Sequence, residues 1–361
     1  MLNPTLEIFK NLYPQIKISE KELIQAFYDE RSEALSFYDS ASIYDASHYS
    51  IFKLTGKDVL EFLNRVSTNE TLSLQNYAAK TTLLLSEKGR VIDRLKIIRL
   101  KDEVILIGSP DNAERVFRWI ERYIIMDDVQ IENISGKYCY FKIIGSKVES
   151  FSALLFNDQI QNAQFDRVYQ YFSQDFTSFI IKTSIFKNNT GYEVLTPIES
   201  AFALISYMNS NLEMFETKFV GEDAYNIIRI EQGHPTYPNE INDSVNPYEI
   251  GLMNAVNSTK GCYIGQEVIA RLETYDKVQK NLIGVAFGSE IIPNDLKLFY
   301  NSEEVGEITS IVNSYRLKRQ IGLALISKKL KLNGNGDKLQ IKAVDESFCT
   351  VDLQELPYIR I

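Results

Sequence analysis

The spacing of hydrophobic positions changes in character near residues 45 and 280. Over the first 45 residues, Ser19 with Glu22 three positions later is typical of a helix N-terminus. The apolar residues that follow at helical spacing are Leu23, Ala26 and Phe27. We therefore predict a helix-rich N-terminal extension over residues 1–45.

Between residues 46 and 280, strand-like and helix-like patterns alternate. The predicted strands are 51–56, 82–85, 91–98 and 104–107, and the predicted helices are 57–65, 221–232 and one that opens at Ser109-Pro110. The helix over 221–232 has acidic residues at its start and Gly233 after its end, which are ordinary start and stop signals.

Short strand patterns separated by turn residues follow residue 280. They cover 282–287, 306–312, 321–326, 339–344 and 349–353, and the Asn-Gly-Asn-Gly run at 333–336 is a strong turn signal. Repeated short strands at this spacing are typical of sandwiches and barrels. We predict a small all-β module, such as a barrel, over residues 281–361.

The composition restricts the class of protein. The 361 residues are 45% hydrophobic and 24% charged, which are ordinary globular values and exclude a disordered or fibrous chain. Acidic residues outnumber basic ones, 48 to 39, and the net charge of −9 disfavours duplex nucleic acid as a partner. The sequence shows no targeting segment and no apolar run of about 18 residues. We expect a soluble cytoplasmic protein with no membrane partner.

The counts of cysteine and histidine limit the chemistry of a single chain. The three cysteines lie far apart and form no Cys-x-x-Cys pair, which argues against a disulfide framework and favours a reducing compartment. Three cysteines are too few for a Cys-rich zinc or iron–sulfur site, and two histidines cannot supply a multi-His centre. We expect no resident metal.

Cys262 is a candidate nucleophile because of its place before a helix. It lies two residues after Lys260 and shortly before a helix predicted from Gln266. The positive end of a helix and a nearby ammonium both stabilise a thiolate. The alternative is a small buried hydrophobic residue between two turns, a common role for a free cysteine.

Asp93 is a carboxylate on an otherwise apolar strand face. Alternation places it with Val91 and Leu95, where an unpaired carboxylate is costly unless it is functional. The opposite face carries Arg94 and Lys96 and is predicted to be solvated. The alternative is a strand near the sheet edge, with Asp93 in water or in a structural ion pair.

Glu193 follows a turn and enters a strand in which Tyr192 belongs to the other face. A glutamate that faces a pocket can accept two N–H donors of a ring-shaped ligand. The alternative is a solvated strand residue.

The end of the helix over 221–232 carries charged residues. Glu231 lies where the helix dipole disfavours a carboxylate, and Arg271 is the expected partner. Arg229 either meets an anionic ligand or takes part in an ion-pair network between domains. His234, just beyond the helix, is predicted to be a cap or a surface group.

The string KGCYIGQE at 260–267, followed by VIAR, resembles the signature of the YgfZ family of folate-binding proteins. These proteins are relatives of the aminomethyltransferase, or T-protein, of the glycine cleavage system. Further segments resemble family motifs in the same order, at 54–64, 86–91, 229–235 and 247–252. The resemblance runs from about residue 45 to the C-terminus.

The resemblance implies an α+β fold, an aminomethyltransferase-like cloverleaf of two α+β units around a central folate channel, followed by a C-terminal β-barrel. It makes residues 46–280 the folate-binding region, and the implied cofactor is tetrahydrofolate or a derivative. Glu193 matches the glutamate that reads the pterin, Tyr192 is the aromatic residue before it, and Arg229 matches an arginine that helps to bind the folate.

The family also implies a function. YgfZ proteins support the assembly or repair of iron–sulfur clusters in client enzymes, including enzymes that modify tRNA. The resemblance therefore implies a tetrahydrofolate-binding factor with Cys262 as its functional thiol. Since one cysteine cannot fill four ligand positions, a client or assembly protein must supply the rest.

Two alternatives stay open. The first is a folate-dependent one-carbon transferase or demethylase that acts on a small amine, with Asp93 as its general base. Related aminomethyltransferases carry the catalytic Asp in a G-G-x-x-D-D stretch, which Asp93 matches, whereas Arg90 and Arg94 replace the second Gly and the second Asp. The second alternative is a scaffold that kept the fold and lost the ligand.

Overall fold

The computed structural model describes residues 3–186, 189–275, 277–288, 293–330, 339–344 and 347–360. The helices are α1 (Leu6–Leu12), α2 (Glu30–Asp39), α3 (Val59–Val66), α4 (Ala113–Tyr123), α5 (Val148–Phe156), α6 (Asp158–Gln161), α7 (Ala201–Ser210), α8 (Glu222–Glu231) and α9 (Gln266–Thr274). The strands are β1 (Lys17–Ile18), β2 (Ile24–Ala26), β3 (Ser42–Asp45), β4 (Ser50–Thr55), β5 (Ala78–Leu85), β6 (Val91–Arg99), β7 (Val104–Gly108), β8 (Gln130–Asn133), β9 (Tyr138–Ile144), β10 (Val168–Phe172), β11 (Thr177–Phe186), β12 (Asn189–Pro197), β13 (Lys218–Val220), β14 (Lys280–Phe287), β15 (Pro293–Tyr300), β16 (Glu303–Ser314), β17 (Arg319–Ser327), β18 (Leu339–Ala343) and β19 (Phe348–Gln354).

A five-stranded antiparallel sheet has the order β5-β6-β7-β4-β8. One of its faces packs against α3 and α4, whose apolar residues recur at helical spacing. Phe62 of α3 and Val116 of α4 are fully buried in that layer. Strand β6, which carries Asp93, lies in the interior of this sheet between β5 and β7.

A six-stranded sheet has the order β10-β11-β12-β9-β3-β13, and only its β13–β3 pair is parallel among the pairs described. One face carries an aromatic-rich core with α1, α5 and α7. The other face shares a core with α8 and with the free side of the five-stranded sheet, including Ile98 and Ile105. The two sheets therefore lie face to face, with α8 beside them.

The C-terminal strands form a closed barrel in the order β14-β17-β16-β15-β18-β19, with β19 pairing back onto β14. The predicted all-β barrel and the α+β fold class are confirmed. Helix α8 packs against β16 and β17 of the barrel as well as against the sheets, so it lies at the junction of all three layers. The turn predicted at 333–336 lies outside the described residues.

The predicted helix that starts at Ser19 is wrong. The Ser19 N–H donates to the Leu23 carbonyl, the Leu23 N–H donates to Ser19 Oγ, and β1 and β2 pair as a short hairpin. Ile24 and Ala26 are buried with a less buried residue between them, which is the period of a strand. Further along, β3 lies inside the six-stranded sheet, between β9 and β13. The domain division at residues 45 and 280 stays a prediction.

Helix α4 begins later than expected. Ser109-Pro110 was predicted to open it, but its first residue is Ala113 and its N-cap is Asn112. The Ser109 hydroxyl is used elsewhere, since it donates to Asp93 of β6. Within the described ranges, no helix is both long enough and apolar enough to cross a membrane.

Candidate functional site

A cavity of about 710 Å³ lies where the two sheets, the segment after α8 and the barrel meet. Strands β6 and β7 of the five-stranded sheet line one side of the cavity, and strands β9, β11 and β12 of the six-stranded sheet line another. Leu282 of β14 and the C-terminal segment at Leu356 line the barrel side. The charged and polar side chains on its wall include Arg94, Lys96, Tyr140, Lys142, Glu193 and His234.

Glu193 lies on the cavity wall in β12, directly across from Lys142 of β9 in the strand register. The side chain is buried, so it is not a solvated strand residue. Its Oε1 accepts a hydrogen bond of 2.7 Å from the Tyr140 hydroxyl. Its Oε2 lies 3.2 Å from Lys96 Nζ but receives no hydrogen bond from the described residues. One carboxylate oxygen is thus held by an ion pair and keeps unused hydrogen-bonding capacity.

The face of β6 that was predicted to be solvated lines the cavity instead, so that prediction is wrong. Arg94 and Lys96 both lie on the cavity wall, and Lys96 is only 8% exposed. Its ammonium donates to Thr183 Oγ1 at 2.7 Å and pairs with Glu193. We call Arg94, Lys96, Lys142 and Glu193 the cavity cluster.

Lys142 is the residue of the cavity cluster that the sequence analysis missed. It is 6% exposed, and its ammonium lies 4.1 Å from the centre of the Tyr49 ring, with the rings of Tyr44, Tyr140 and Tyr225 within 6.0 Å. Burial lowers the pKa of Lys142 to about 7; the Glu193 charge opposes this shift and the Arg94 charge adds to it. The signal in the sequence was a lone lysine inside an otherwise uncharged strand of aromatic and aliphatic residues.

His234 is half-buried on the cavity wall, because the chain turns back at Gly233 and the His234 backbone N–H donates to the Arg229 carbonyl at the end of α8. Its Nε2 lies 2.7 Å from an Arg94 nitrogen. Since a guanidinium can only donate, the histidine accepts this bond and is neutral. Burial, followed by the charge of Arg94, lowers the pKa of His234 well below its usual value, which agrees with that state.

Two family profiles together cover most of the chain. Residues 12–260 match the GCVT N-terminal domain, and residues 280–357 match the glycine cleavage T-protein C-terminal barrel domain. The chain belongs to the glycine cleavage T-protein family. Among curated relatives of this T-protein family member, an aminomethyltransferase of Thermotoga maritima is 25% identical over 86% of this chain and 84% of the relative.

Two further comparisons extend over most of the T-protein fold. A chloroplastic protein of Arabidopsis thaliana, whose name describes it provisionally as a transferase, is 27% identical over 88% of this chain and 73% of its own. The crystal structure of the glycine cleavage system aminomethyltransferase T from Bartonella henselae matches with a TM-score of 0.85, covering 99% of this chain and 98% of that chain at 18% identity. The aminomethyltransferase-like fold is therefore shown, and the narrower YgfZ assignment stays a prediction.

In this T-protein family member, Asp93 is buried beneath the cavity wall. Its carboxylate accepts hydrogen bonds from the Ser109 hydroxyl and from the backbone N–H groups of Ser109 and Arg94. A Cβ on Gly108 would lie 2.9 Å from Asp93 Oδ2, so this glycine lets the wall close over the carboxylate. Burial raises the pKa of Asp93, and the bonds from Ser109 oppose that shift. The sheet-edge alternative is wrong, because β6 is an interior strand.

Tyr192 lies on the opposite face of β12 from the cavity. It is fully buried in the core with α1 and α5, and its hydroxyl donates to the Ile160 carbonyl at 3.4 Å. The side chain therefore packs the sheet and does not line the cavity.

Arg229 lies in a network that joins α8, the following loop and the barrel. Its guanidinium pairs with Glu240 at 2.9 Å and donates to Ser310 of β16 at 2.8 Å. We call Arg229, Glu240 and Ser310 the junction network. Because Arg229 is 3% exposed and its partners lie within the protein, the structure agrees with the alternative of an ion-pair network between domains.

The expected pairing of Glu231 with Arg271 is wrong. Glu231 instead accepts hydrogen bonds of 2.5 Å from the hydroxyls of Tyr38 and Ser314. Arg271 pairs with Glu267 one turn away on the exposed face of α9. Burial raises the pKa of Glu231, which is consistent with its neutral partners.

Cys262 is exposed on the loop before α9 and does not line the cavity. Lys260, which was expected to stabilise its thiolate, is directed inward. The Lys260 ammonium donates to the carbonyls of Asn64, Ser67 and Asn69 at 2.6–2.7 Å, so it anchors this loop to the C-terminal end of α3 and the residues just after it. Across the described part of the chain, no three His, Cys, Asp or Glu side chains converge as metal ligands.

Proposed function

We propose that this protein binds a reduced folate, tetrahydrofolate or a derivative, in the central cavity, with Glu193 holding the pterin ring. The observation that carries this proposal is the Glu193 oxygen that receives no hydrogen bond although it is buried on the cavity wall. A carboxylate with such an unused acceptor oxygen can accept hydrogen bonds from the adjacent N–H donors of a pterin. A bound tetrahydrofolate would supply a carrier for one-carbon units.

The charge of the cavity cluster supports an anionic ligand. Arg94, Lys96 and Lys142 line the cavity with the carboxylate of Glu193, and Asp166 pairs with Lys96 from outside the lining, so cations prevail on the wall although the chain as a whole carries a net charge of −9. A local excess of cations attracts and orients negative groups. Folates carry carboxylates on their glutamyl tail, so the cluster suits both ends of such a molecule.

We further propose that the protein supports the assembly or repair of iron–sulfur clusters in client enzymes, including enzymes that modify tRNA. The exposed position of Cys262 supports this proposal, because a partner protein can reach the thiol without entering the cavity. One thiol supplies one cluster ligand, so a client or assembly protein supplies the others. Folate binding and thiol chemistry then take place at separate sites.

One-carbon transfer to or from a small amine is a second candidate, and relatives named aminomethyltransferase favour it. In that case Asp93 would be the general base. The position of Asp93 argues against this role, because its carboxylate already accepts bonds from Ser109 and Arg94 beneath the wall. Arg94, in place of a second Asp, also brings a positive charge to where a cationic amine would approach.

Anaerobic calorimetric titration of tetrahydrofolate tests the binding proposal. We expect Glu193→Gln to lose roughly tenfold to a hundredfold in affinity, the worth of one or two charged hydrogen bonds. Glu222→Gln is the matched control, because Glu222 also accepts a tyrosine hydroxyl, from Tyr44, but does not line the cavity. Failure of the wild type to bind, or equal losses in both variants, would contradict the proposal.

Cys262→Ala separates the two functions. We expect this variant to bind tetrahydrofolate as the wild type does, yet to fail to restore iron–sulfur enzyme activities in cells that lack the native copy. Substrate-dependent formation of methylenetetrahydrofolate by purified protein would instead favour the one-carbon transferase. Full restoration by Cys262→Ala would remove the thiol from the proposed role.

A further inference from the structure

Lys142 stands out among the buried cations because it has so few polar partners. No carboxylate of the described residues forms an ion pair with it, and its one recorded hydrogen bond is a long contact of 3.5 Å to the Tyr225 hydroxyl. Glu193, its cross-strand neighbour, pairs with Lys96 instead. The ammonium faces the cavity from within a group of tyrosine rings. The surroundings of this buried amine are therefore mainly aromatic rings, and its hydrogen-bonding capacity is largely unused.

Lys260 provides the internal comparison. It is also buried, but its ammonium donates to three backbone carbonyls, those of Asn64, Ser67 and Asn69. Those bonds occupy every proton of the ammonium and hold the nitrogen in its charged form. Burial lowers the pKa of Lys260 to about 8 and that of Lys142 to about 7. Lys142 therefore has both the larger neutral fraction near pH 7 and the nitrogen with fewer hydrogen bonds.

We propose that Lys142 is a nucleophilic amine that captures a small carboxylate-bearing aldehyde in the cavity as an imine. The setting meets the physical requirements for such a lysine, which are removal from water and neighbouring cations that disfavour protonation. Arg94 and Lys96 line the same cavity and supply those cations, while the carboxylates of Glu193 and Glu222 act in the opposite direction and burial outweighs them. This activity goes beyond the proposed folate binding and does not require a bound folate.

The step balances without an added oxidant or reductant. The neutral ε-amine attacks the carbonyl carbon, a C–N bond forms, and the carbonyl oxygen takes a proton to give a carbinolamine. Loss of the hydroxyl as water then leaves a C=N bond between Lys142 and the former aldehyde carbon. The excess of cations in the cavity cluster selects an aldehyde that carries a carboxylate.

Reductive trapping followed by peptide mapping tests the proposal on the full-length protein. Glyoxylate is added at pH 7 with cyanoborohydride at limiting dose, and the fraction of each lysine converted to its carboxymethyl derivative is measured. We expect Lys142 to react at least about tenfold faster than Lys260 and than the exposed Lys57. Acetaldehyde, which lacks the carboxylate, is the matched probe and is expected to label Lys142 more slowly.

The mapping is carried out on the wild type, so the result does not depend on the folding of a variant. Lys142→Arg, which keeps the charge and removes the nucleophile, should lose only the fast phase of labelling. A rate at Lys142 no greater than that at Lys260 would overturn the proposal and leave Lys142 as a structural cation among tyrosine rings. Equal labelling of Lys142 by glyoxylate and acetaldehyde would overturn the carboxylate-bearing class of substrate.

Discussion

The junction network and the cavity cluster are both buried and charged, but they differ in how fully their hydrogen bonds are satisfied. In the junction network, Arg229 contacts Glu240, Ser310 and Asn226, and Glu240 also accepts bonds from neighbouring hydroxyls. In the cavity cluster, one Glu193 oxygen has an ion pair with Lys96 but no hydrogen bond from the described residues, and the Lys142 amine has one long bond to Tyr225. Satisfied polar groups hold elements together, whereas unsatisfied ones keep capacity for a ligand.

Asp93 resembles the junction network, because its hydrogen bonds are satisfied. Its position on an apolar strand face predicts instead a carboxylate that keeps capacity for a ligand, as in the cavity cluster. It is as deeply buried as any residue of the cavity wall, but its donors come from the adjacent strand end and from its own neighbour. Burial of a carboxylate alone therefore does not identify a functional acid. The predictions below test this distinction.

The largest effect is expected for Arg229→Met, which leaves Glu240 buried without its cation. Breaking a buried ion pair from one side costs about 3–5 kcal/mol of the free energy of unfolding. Urea unfolding measures this change. Arg271→Met, which removes an exposed pair with Glu267, is the control and should cost no more than about 0.5 kcal/mol. A similar loss in both variants would contradict a structural role for the junction network.

For Asp93→Ala we expect a smaller loss, about 1–3 kcal/mol of the free energy of unfolding. The reason is that the Ser109 hydroxyl and the Ser109 backbone N–H are left without an acceptor. Asp93→Asn keeps one acceptor oxygen and should cost less. Thermal unfolding measures stability, and calorimetry should give tetrahydrofolate affinities within about threefold of the wild type for Asp93→Asn. A much larger loss of affinity with intact stability would move Asp93 into the binding site.

The next effect is a pH dependence from Lys142. Its pKa is lowered from an ordinary 10.5 to about 7 by burial. Above pH 7 the unfolded chain binds a proton at this residue that the folded chain does not, so its contribution makes stability rise with pH, by at most about 1.4 kcal/mol per unit. Below pH 7 both states are protonated, and the full cost of the buried charge remains.

Denaturant unfolding of the wild type and of Lys142→Met between pH 6.5 and 9 measures this contribution. We expect the free energy of unfolding of the wild type to increase relative to that of Lys142→Met as the pH rises. The pKa of Lys260 is also lowered, so Lys260 adds its own pH dependence to the stability of both proteins. This contribution cancels when the two free energies of unfolding are subtracted. A difference that stays constant with pH would mean that Lys142 remains protonated among the tyrosine rings.

The smallest effect is expected for Cys262→Ala, within about 0.5 kcal/mol of the wild-type stability, because the thiol is exposed. Cys139→Ala is the matched control, since Cys139 is fully buried in the core and its loss leaves a small cavity. Chemical denaturation of both variants gives the comparison. Strong destabilisation by Cys262→Ala would indicate a structural role for the loop cysteine.

Much of the fold follows from local pattern. The helix at α8 has its acidic start and its glycine stop where the sequence predicts them, and the short strands after residue 280 form the predicted barrel. The segment at Ser19 was the exception, because Leu23, Ala26 and Phe27 fit a helical spacing while Ile24 and Ala26 fit the alternation of a strand. Pairing with β1 decided between the two.

The sequence by itself determined the wider T-protein family and the α+β class with its barrel, and it named the candidates Glu193 and Cys262, because motifs and periodicity are local properties of the chain. It did not determine which charged residues meet. Arg94 and Lys96 lie on a strand face that resembles a solvated one, and Lys142 and His234 come from distant elements. Only tertiary packing turns that face toward a cavity, and burial together with hydrogen-bond partners then decides which charges hold the fold and which stay free for a ligand.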